Sequence, residues 1–238
     1  GKNLSTPAPE GLFLHRGEGS PQEAQEVLKK GYQRLVGMIL WAARGVYPEC
    51  MVGANMLGRV LDAPTHKAFN AAVHMMNYMI QHKDRGIQFK STGNAVPMAY
   101  VDASNKPDPT DSKSQYGHCH MWMGGPISGT SKKLAHIGLS ASHNEYMALH
   151  WCNRQTAWIR DLLAELDLHE VIQEPTLTYM YGDNKTANEL CTEGMVTKGN
   201  QHYRTPYHFN KEMVEDGYTN VQWIESAENL ADMYTKCV

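Results

Sequence analysis

The stretch Val96-Pro97-Met98-Ala99-Tyr100-Val101-Asp102-Ala103 marks the point at which the chain changes character. Residues 96–101 read as a β-strand, and the strand runs into an acid. Before it the pattern is helical. Ser20-Pro21-Gln22-Glu23 is a capping box with proline at the first helical position, and the apolar residues behind it predict a helix over 21–44, broken at Tyr47-Pro48. Further helices are expected over 48–61 and over 65–82, the latter with Phe69, Val73, Met76 and Ile80 near one face. After it the pattern is α/β. Strands are expected at 87–89 and 96–101, then a turn-rich connection over 104–114. Two more strands, at 115–123 and 132–139, flank Gly124-Gly125-Pro126. A helix from Ser142 to Leu166, a strand over 177–181, a short helix from Asn184 and a polar loop over 193–205 follow. A helix over 206–216, a strand over 221–224 and a last helix after Ser226 complete the chain. This order predicts a mixed five-stranded α/β sheet flanked by helices, preceded by a helical segment. The expected division falls near residue 95, giving a mainly helical region over 1–95 and an α/β domain over 96–238.

Composition limits the function classes. The 238 residues carry a net charge of −3, which does not by itself point to nucleic acid. The charge is unevenly spread: residues 1–97 hold 11 Lys/Arg against 7 Asp/Glu, and residues 98–238 hold 11 against 18. No apolar run approaches the roughly 20 residues of a membrane span, so no membrane role is expected. The N-terminus lacks the apolar stretch of a signal peptide and reads as part of a longer polypeptide. The five cysteines, Cys50, Cys119, Cys152, Cys191 and Cys237, are scattered and odd in number, which predicts a reducing compartment and no disulfide framework. On a strand, His118-Cys119-His120 would put both imidazoles on one face, but with no second ligand cluster apparent the run does not read as a metal site.

The acidic second half contains four acids in distinct local settings: Asp102, Glu145, Asp183 and Asp232. Each has an ordinary reading. Asp102 can be a strand-end turn residue. Ser142-His143-Asn144-Glu145 is itself a capping box, which would turn Glu145 back to the helix start. Asp183 can cap the helix after it, and Asp232 can be a solvated acid on a terminal helix. Together they read differently. Their separations are 43, 38 and 49 residues, in the order strand, helix, strand, helix. Strand C-termini and adjoining helix starts are where an α/β sheet places its chemistry, and four carboxylates in one small site require cations.

The flanking motifs carry a resemblance. Tyr100-Val101-Asp102-Ala103, Leu139-Ser140-Ala141-Ser142-His143-Asn144-Glu145-Tyr146-Met147-Ala148-Leu149, Tyr181-Gly182-Asp183-Asn184-Lys185-Thr186-Ala187 and Asn229-Leu230-Ala231-Asp232-Met233-Tyr234-Thr235-Lys236 resemble the ribonuclease H domain of Ty1/copia-type retrotransposon polyproteins. Tyr207-His208-Phe209-Asn210-Lys211-Glu212 fits as well. Thr6-Pro7 and Tyr32-Gln33-Arg34-Leu35-Val36-Gly37-Met38-Ile39 resemble the connection between polymerase and ribonuclease H in those elements, so the likeness extends from about residue 6 to 236. The polymerase's paired-aspartate motif is absent.

The resemblance implies a ribonuclease H-like fold and hydrolysis of the RNA strand of RNA–DNA hybrids. It implies two Mg²⁺ ions, with Mn²⁺ as a substitute, bridged by Asp102 and held further by Glu145, Asp183 and Asp232. It also implies an intracellular setting, a cytoplasmic retroelement particle or the nucleus, with the polymerase domain of the same polyprotein as a partner. Candidate contacts to 2′-hydroxyls are Asn105, Ser142, Asn144 and Asn184. Candidate phosphate contacts are Lys132, Lys133, Lys185 and Arg204, and His202 or His208 is a candidate proton shuttle. Two other readings stand beside this one. A catalytically silent binding module of the same fold is opposed by the presence of all four acids. A transposase or integrase core would place its glutamate last, not second. The chain also departs from the family: Arg204 stands where an acid is usual, Ser104-Asn105 follow the aspartate–alanine pair in place of tryptophan, and Gly129 replaces a tryptophan near the second glycine turn.

Overall fold

The computed structural model describes residues 3–90, 96–168, 177–192 and 204–236. The chain divides between Ile87 and Gln88 into two compact units.

The first unit is helical: α1 (Pro21–Lys29), α2 (Tyr32–Gly45), α3 (Met51–Gly58, entered through a 3-10 turn at Pro48–Cys50) and α4 (His66–Gln81). The helix expected over 21–44 is two helices, because Gly31 takes a left-handed φ of 84° and turns the chain between them. Ser20 caps α1 by accepting from Glu23 N. The Glu23 carboxylate meanwhile accepts from His66 N at 2.7 Å, at the first turn of α4. Buried Tyr32 and Tyr47 satisfy their hydroxyls on main-chain carbonyls, Leu57 O at 2.9 Å and Met79 O at 3.1 Å, so Tyr32 fixes α2 against α3 and Tyr47 fastens the turn after α2 to α4. No helix among the described residues is long and apolar enough to cross a membrane.

The second unit is built on five strands: β1 (Met98–Ala103), β2 (Gln115–Trp122), β3 (Gly125–Lys133), β4 (Thr178–Gly182) and β5 (Thr219–Trp223), in the spatial order β3-β2-β1-β4-β5. β1, β2 and β3 are antiparallel, and β4 and β5 join parallel to β1. The sheet is therefore mixed, as the element order predicts. Its helices are α5 (Ala141–Glu165), α6 (Lys185–Thr192) and α7 (Arg204–Glu215). The core comprises Ala99, Val101, Tyr116, Met180 and Val221 from the strands and Tyr146, Leu149, Cys152, Ala187 and Tyr207 from the helices. Tyr100 and Tyr181 stack across the β1–β4 pair with centroids 5.2 Å apart.

Three expected elements differ. Residues 87–89 form no strand. The third strand begins at Gly125, not at 132, because Met123 and Gly124 both take positive φ (51° and 81°) and close a two-residue hairpin. The run Gly-Pro-Ile-Ser-Gly-Thr-Ser has little strand propensity of its own and is held at the sheet edge, where proline is tolerated. The terminal helix is two 3-10 turns, Ser226–Glu228 and Leu230–Tyr234.

Candidate metal centre

Asp102 lies near the C-terminal end of β1 and is 3% exposed. Its Oδ2 accepts from the Thr235 hydroxyl. Glu145, 4% exposed, is the fifth residue of α5. The cap of that helix is Ser140, whose Oγ accepts from His143 N at 3.1 Å. Glu145 is therefore beyond capping reach of the helix start, and it packs inward. Asn144 beside it donates to Ser114 Oγ at 2.9 Å, which ties the first turn of α5 to the residue before β2. Asp183 follows the end of β4; Asn184, not Asp183, caps α6 by accepting from Ala187 N at 3.0 Å. Asp183 Oδ2 instead accepts from Ser226 Oγ at 2.6 Å, and its carbonyl accepts from Trp223 Nε1 at 3.1 Å.

One carboxylate oxygen from each of Asp102, Glu145 and Asp183 lies within 4.8 Å of the others. Three carboxylates so close, two of them deeply buried, make a cluster whose charge a bound cation would neutralise. The donors are all hard carboxylate oxygens, a set that fits Mg²⁺ or Mn²⁺. Asp232 is outside that set of three. It lies in the first turn of the 3-10 segment Leu230–Tyr234, and its carbonyl, 3.2 Å from Thr235 Oγ1, shares with Asp102 the same hydroxyl.

The position of this segment depends on its own Asn229 and Tyr234 and on two glycines of the sheet. Asn229 donates to Val101 O at 2.9 Å and accepts from Ala231 N at 3.0 Å, joining the turn that bears Asp232 to the strand that bears Asp102. Tyr234 lies over β2 and β3. A side chain at Gly117 would collide with its Cβ and backbone, and one at Gly129 would meet its ring at 2.5 Å. The absence of a tryptophan at Gly129 thus has a structural counterpart: the Tyr234 ring fills that space.

The expected substrate contacts separate into two groups. Asn105, Lys132 and Lys185 are exposed, Lys185 with its ammonium 4.6 Å from the Trp223 ring, and Ser142 is half-buried. The other group is engaged internally: Asn144 holds Ser114, Asn184 caps α6, and Lys133 pairs with Asp108 and with Asp111 at 3.1 Å. Burial would raise the Asp108 carboxyl, but the bonds from Lys133 and Thr110 outweigh it and hold the pKa at about 2. His208 is exposed on α7. Arg204 opens that helix, its side chain outside the described residues, and His202 lies outside them altogether. A cavity of about 450 Å³ opens beside the start of α5, lined by Leu134, His136, Ile137, His143, Met147 and Trp151 among others.

No protein-family model matches the chain. The Pol polyprotein of transposon TNT 1-94 from Nicotiana tabacum is 27% identical over 217 residues, 91% of this chain and 16% of that protein. The Pol polyprotein of transposon RE2 from Arabidopsis thaliana is 29% identical over 226 residues, 94% and 15% respectively. The chain therefore spans about a sixth of the length of the curated relatives it matches. Among solved structures, the N-terminal ribonuclease H domain of a Mycobacterium tuberculosis protein, fused to maltose binding protein, covers 59% of this chain and 91% of its own with a TM-score of 0.42 and 14% identity. In sequence the chain is thus similar, over about nine-tenths of its length, to copia-type retrotransposon Pol polyproteins.

Proposed function

We propose that residues 96–238 are a metal-dependent ribonuclease H domain that hydrolyses the RNA strand of RNA–DNA hybrids, with residues 1–95 as a connection-like region. The observation that carries this reading is the approach of the Asp102, Glu145 and Asp183 carboxylates to within 4.8 Å at the ends of parallel strands and the start of a helix. These three would hold Mg²⁺ or Mn²⁺, with Asp232 as the fourth ligand from the turn that Asn229 ties to β1. When bound, such ions supply an activated water and stabilise the leaving 3′ oxygen. The chain's own side chains set the geometry: Thr235 orients Asp102, Ser226 orients Asp183, and Asn144 keeps the Glu145 turn against the sheet.

Lys132 and Lys185 are the phosphate contacts this reading favours, since both are exposed and outside the ion pairs described, whereas Lys133 is neutralised by two acids. Asn105 and Ser142 are candidates for the RNA 2′-hydroxyls. His202 or His208 keeps the proton-shuttle role the family resemblance implies, and Arg204 remains a candidate phosphate contact. The proposed setting is an intracellular retroelement particle, with the polymerase of the same polyprotein as partner.

The test is cleavage of a labelled RNA–DNA hybrid with Mg²⁺ or Mn²⁺. Wild type should release RNA fragments. Asp102→Asn should lose more than the roughly 10–100-fold that follows removal of a residue behind a metal ligand. A folded wild-type chain that leaves the hybrid intact sinks the enzyme reading, and retained hybrid binding would then identify a binding module.

A further inference from the structure

Trp223 ends β5, an edge strand of the sheet, and is 47% exposed. The indole is not part of the apolar core, so core packing does not account for it. Its contacts lie at the candidate metal centre instead. In the β4–β5 ladder Trp223 stands opposite Gly182, the residue before Asp183. Its indole N–H donates to the Asp183 carbonyl at 3.1 Å. The Lys185 ammonium lies 4.6 Å from the ring centroid, within cation–π range. Buried Asn188 donates from Nδ2 to Gly182 O at 2.9 Å and to Gln222 O at 3.2 Å, which braces the ends of β4 and β5 against each other. One side chain on a braced strand end thus touches both the main chain of a proposed metal ligand and an exposed cation.

We propose that Trp223 is a positioning residue for the nucleic-acid substrate: it holds Lys185 beside Asp183, where the ammonium meets a backbone phosphate of the RNA–DNA hybrid. The proposal rests on the ribonuclease H reading of the carboxylate centre. A free lysine side chain loses rotamer entropy when it takes up one geometry on a phosphate. A lysine already held on an indole face has lost part of that freedom beforehand, so the phosphate meets a preorganised charge. The ring face attracts the cation through its quadrupole, while the ring edge, through Nε1–H, is committed to Asp183 O. The two contacts use different parts of the indole and can be separated. Phenylalanine keeps a ring face and lacks the N–H; leucine lacks both. A phosphate contact made equally in ground state and transition state affects KM and leaves kcat unchanged. The Asp183 bond acts instead on a proposed metal ligand, so its loss lowers kcat or raises the Mg²⁺ requirement.

The test is a double-mutant cycle on the full chain. Hybrid binding is read by fluorescence anisotropy in an Asp102→Asn background, and cleavage kinetics are read in the parent chain. Lys185→Met should weaken binding alike for all sequences and lower the salt slope by about 1. Trp223→Leu should weaken binding by about 2–5-fold, the equivalent of an exposed cation–π contact, and should have no effect on affinity in the Lys185→Met background. Trp223→Phe should keep most of the affinity and lower kcat. Circular dichroism checks each fold. Should Trp223→Leu not fold, the Trp223 indole N–H resonance, identified by its absence from Trp223→Phe, decides: it should shift when hybrid is added, and the shift should be lost in Lys185→Met. Equal losses from Trp223→Leu with and without Lys185 mean that the indole is merely structural, and overturn the proposal. Tighter binding by Trp223→Leu also overturns it, since the ring would then be withholding the ammonium from phosphate. A wild type that binds the hybrid without cutting it ends the enzyme reading alone, because the binding cycle still decides this one; a wild type that does not bind overturns both.

Discussion

Thr235 reaches Asp102 from 133 residues away in the chain, and this one hydroxyl orients the most buried acid of the candidate centre. A hydroxyl donating to a carboxylate is a charge-assisted bond, about twice as strong as a neutral one. Thr235→Val keeps the shape and removes the donor. It should lower hybrid cleavage by about 10–100-fold and weaken Mg²⁺ binding, with an unchanged circular dichroism spectrum; equal cleavage by the two proteins would remove Thr235 from the site. Glu145 illustrates how a residue's role depends on a neighbour's. The sequence reads Ser142 as the cap, but the structure uses Ser140, which frees Glu145 from the capping box. Likewise Asn184 takes the cap that Asp183 could have taken. In each case neighbouring polar residues offer alternative helix starts, and packing elsewhere settles which is used.

At the scale of elements, the terminal 3-10 turns hold the centre together. They lack the length of a helix, and their position rests on Asn229 and on the fit of Tyr234 over two glycines. Gly117 pairs with Asp102 across the β1–β2 ladder, so its missing side chain lets the turn close directly over the acid's strand. Gly117→Ala should cost about 1–3 kcal/mol of stability through overpacking and should reduce cleavage by displacing Asp232 and Thr235 together. Urea unfolding and a cleavage assay on the same preparation check both effects; an alanine tolerated in both would show that the turn has room to shift. The edge strand β3 makes a similar point. Its composition predicts no strand, and the hairpin at Met123-Gly124 with pairing to β2 imposes one.

At the scale of the whole molecule, the loop between β1 and β2 is fastened by the pairing of Lys133 with Asp108 and Asp111. Asp108 titrates at about 2, below its ordinary 3.8. A depressed carboxylate contributes stability that is present above its unfolded pKa and is lost as pH falls through the folded one. The stability difference between wild type and Asp108→Asn should therefore be constant above about pH 4 and shrink as pH falls toward about 2. Thermal melts across that range test it, and a difference independent of pH would mean that the pair adds nothing through charge.

The element order of the second half, and with it the mixed five-stranded sheet, was legible in the sequence because strand and helix periodicities are local. So were Asp102, Glu145, Asp183 and Asp232 as candidates, since each lies in its own short motif. Only the tertiary structure decided that Asp102, Glu145 and Asp183 come within 4.8 Å of one another while Asp232 lies outside that set, on a 3-10 turn. It alone placed Cys152 beside His118 and His120, and Tyr234 over Gly129. The physical reason is one of range. Propensity and capping act over a few residues, whereas these contacts join atoms from segments 32 to 133 residues apart, and only packing of the sheet against its helices and terminal turn brings them together.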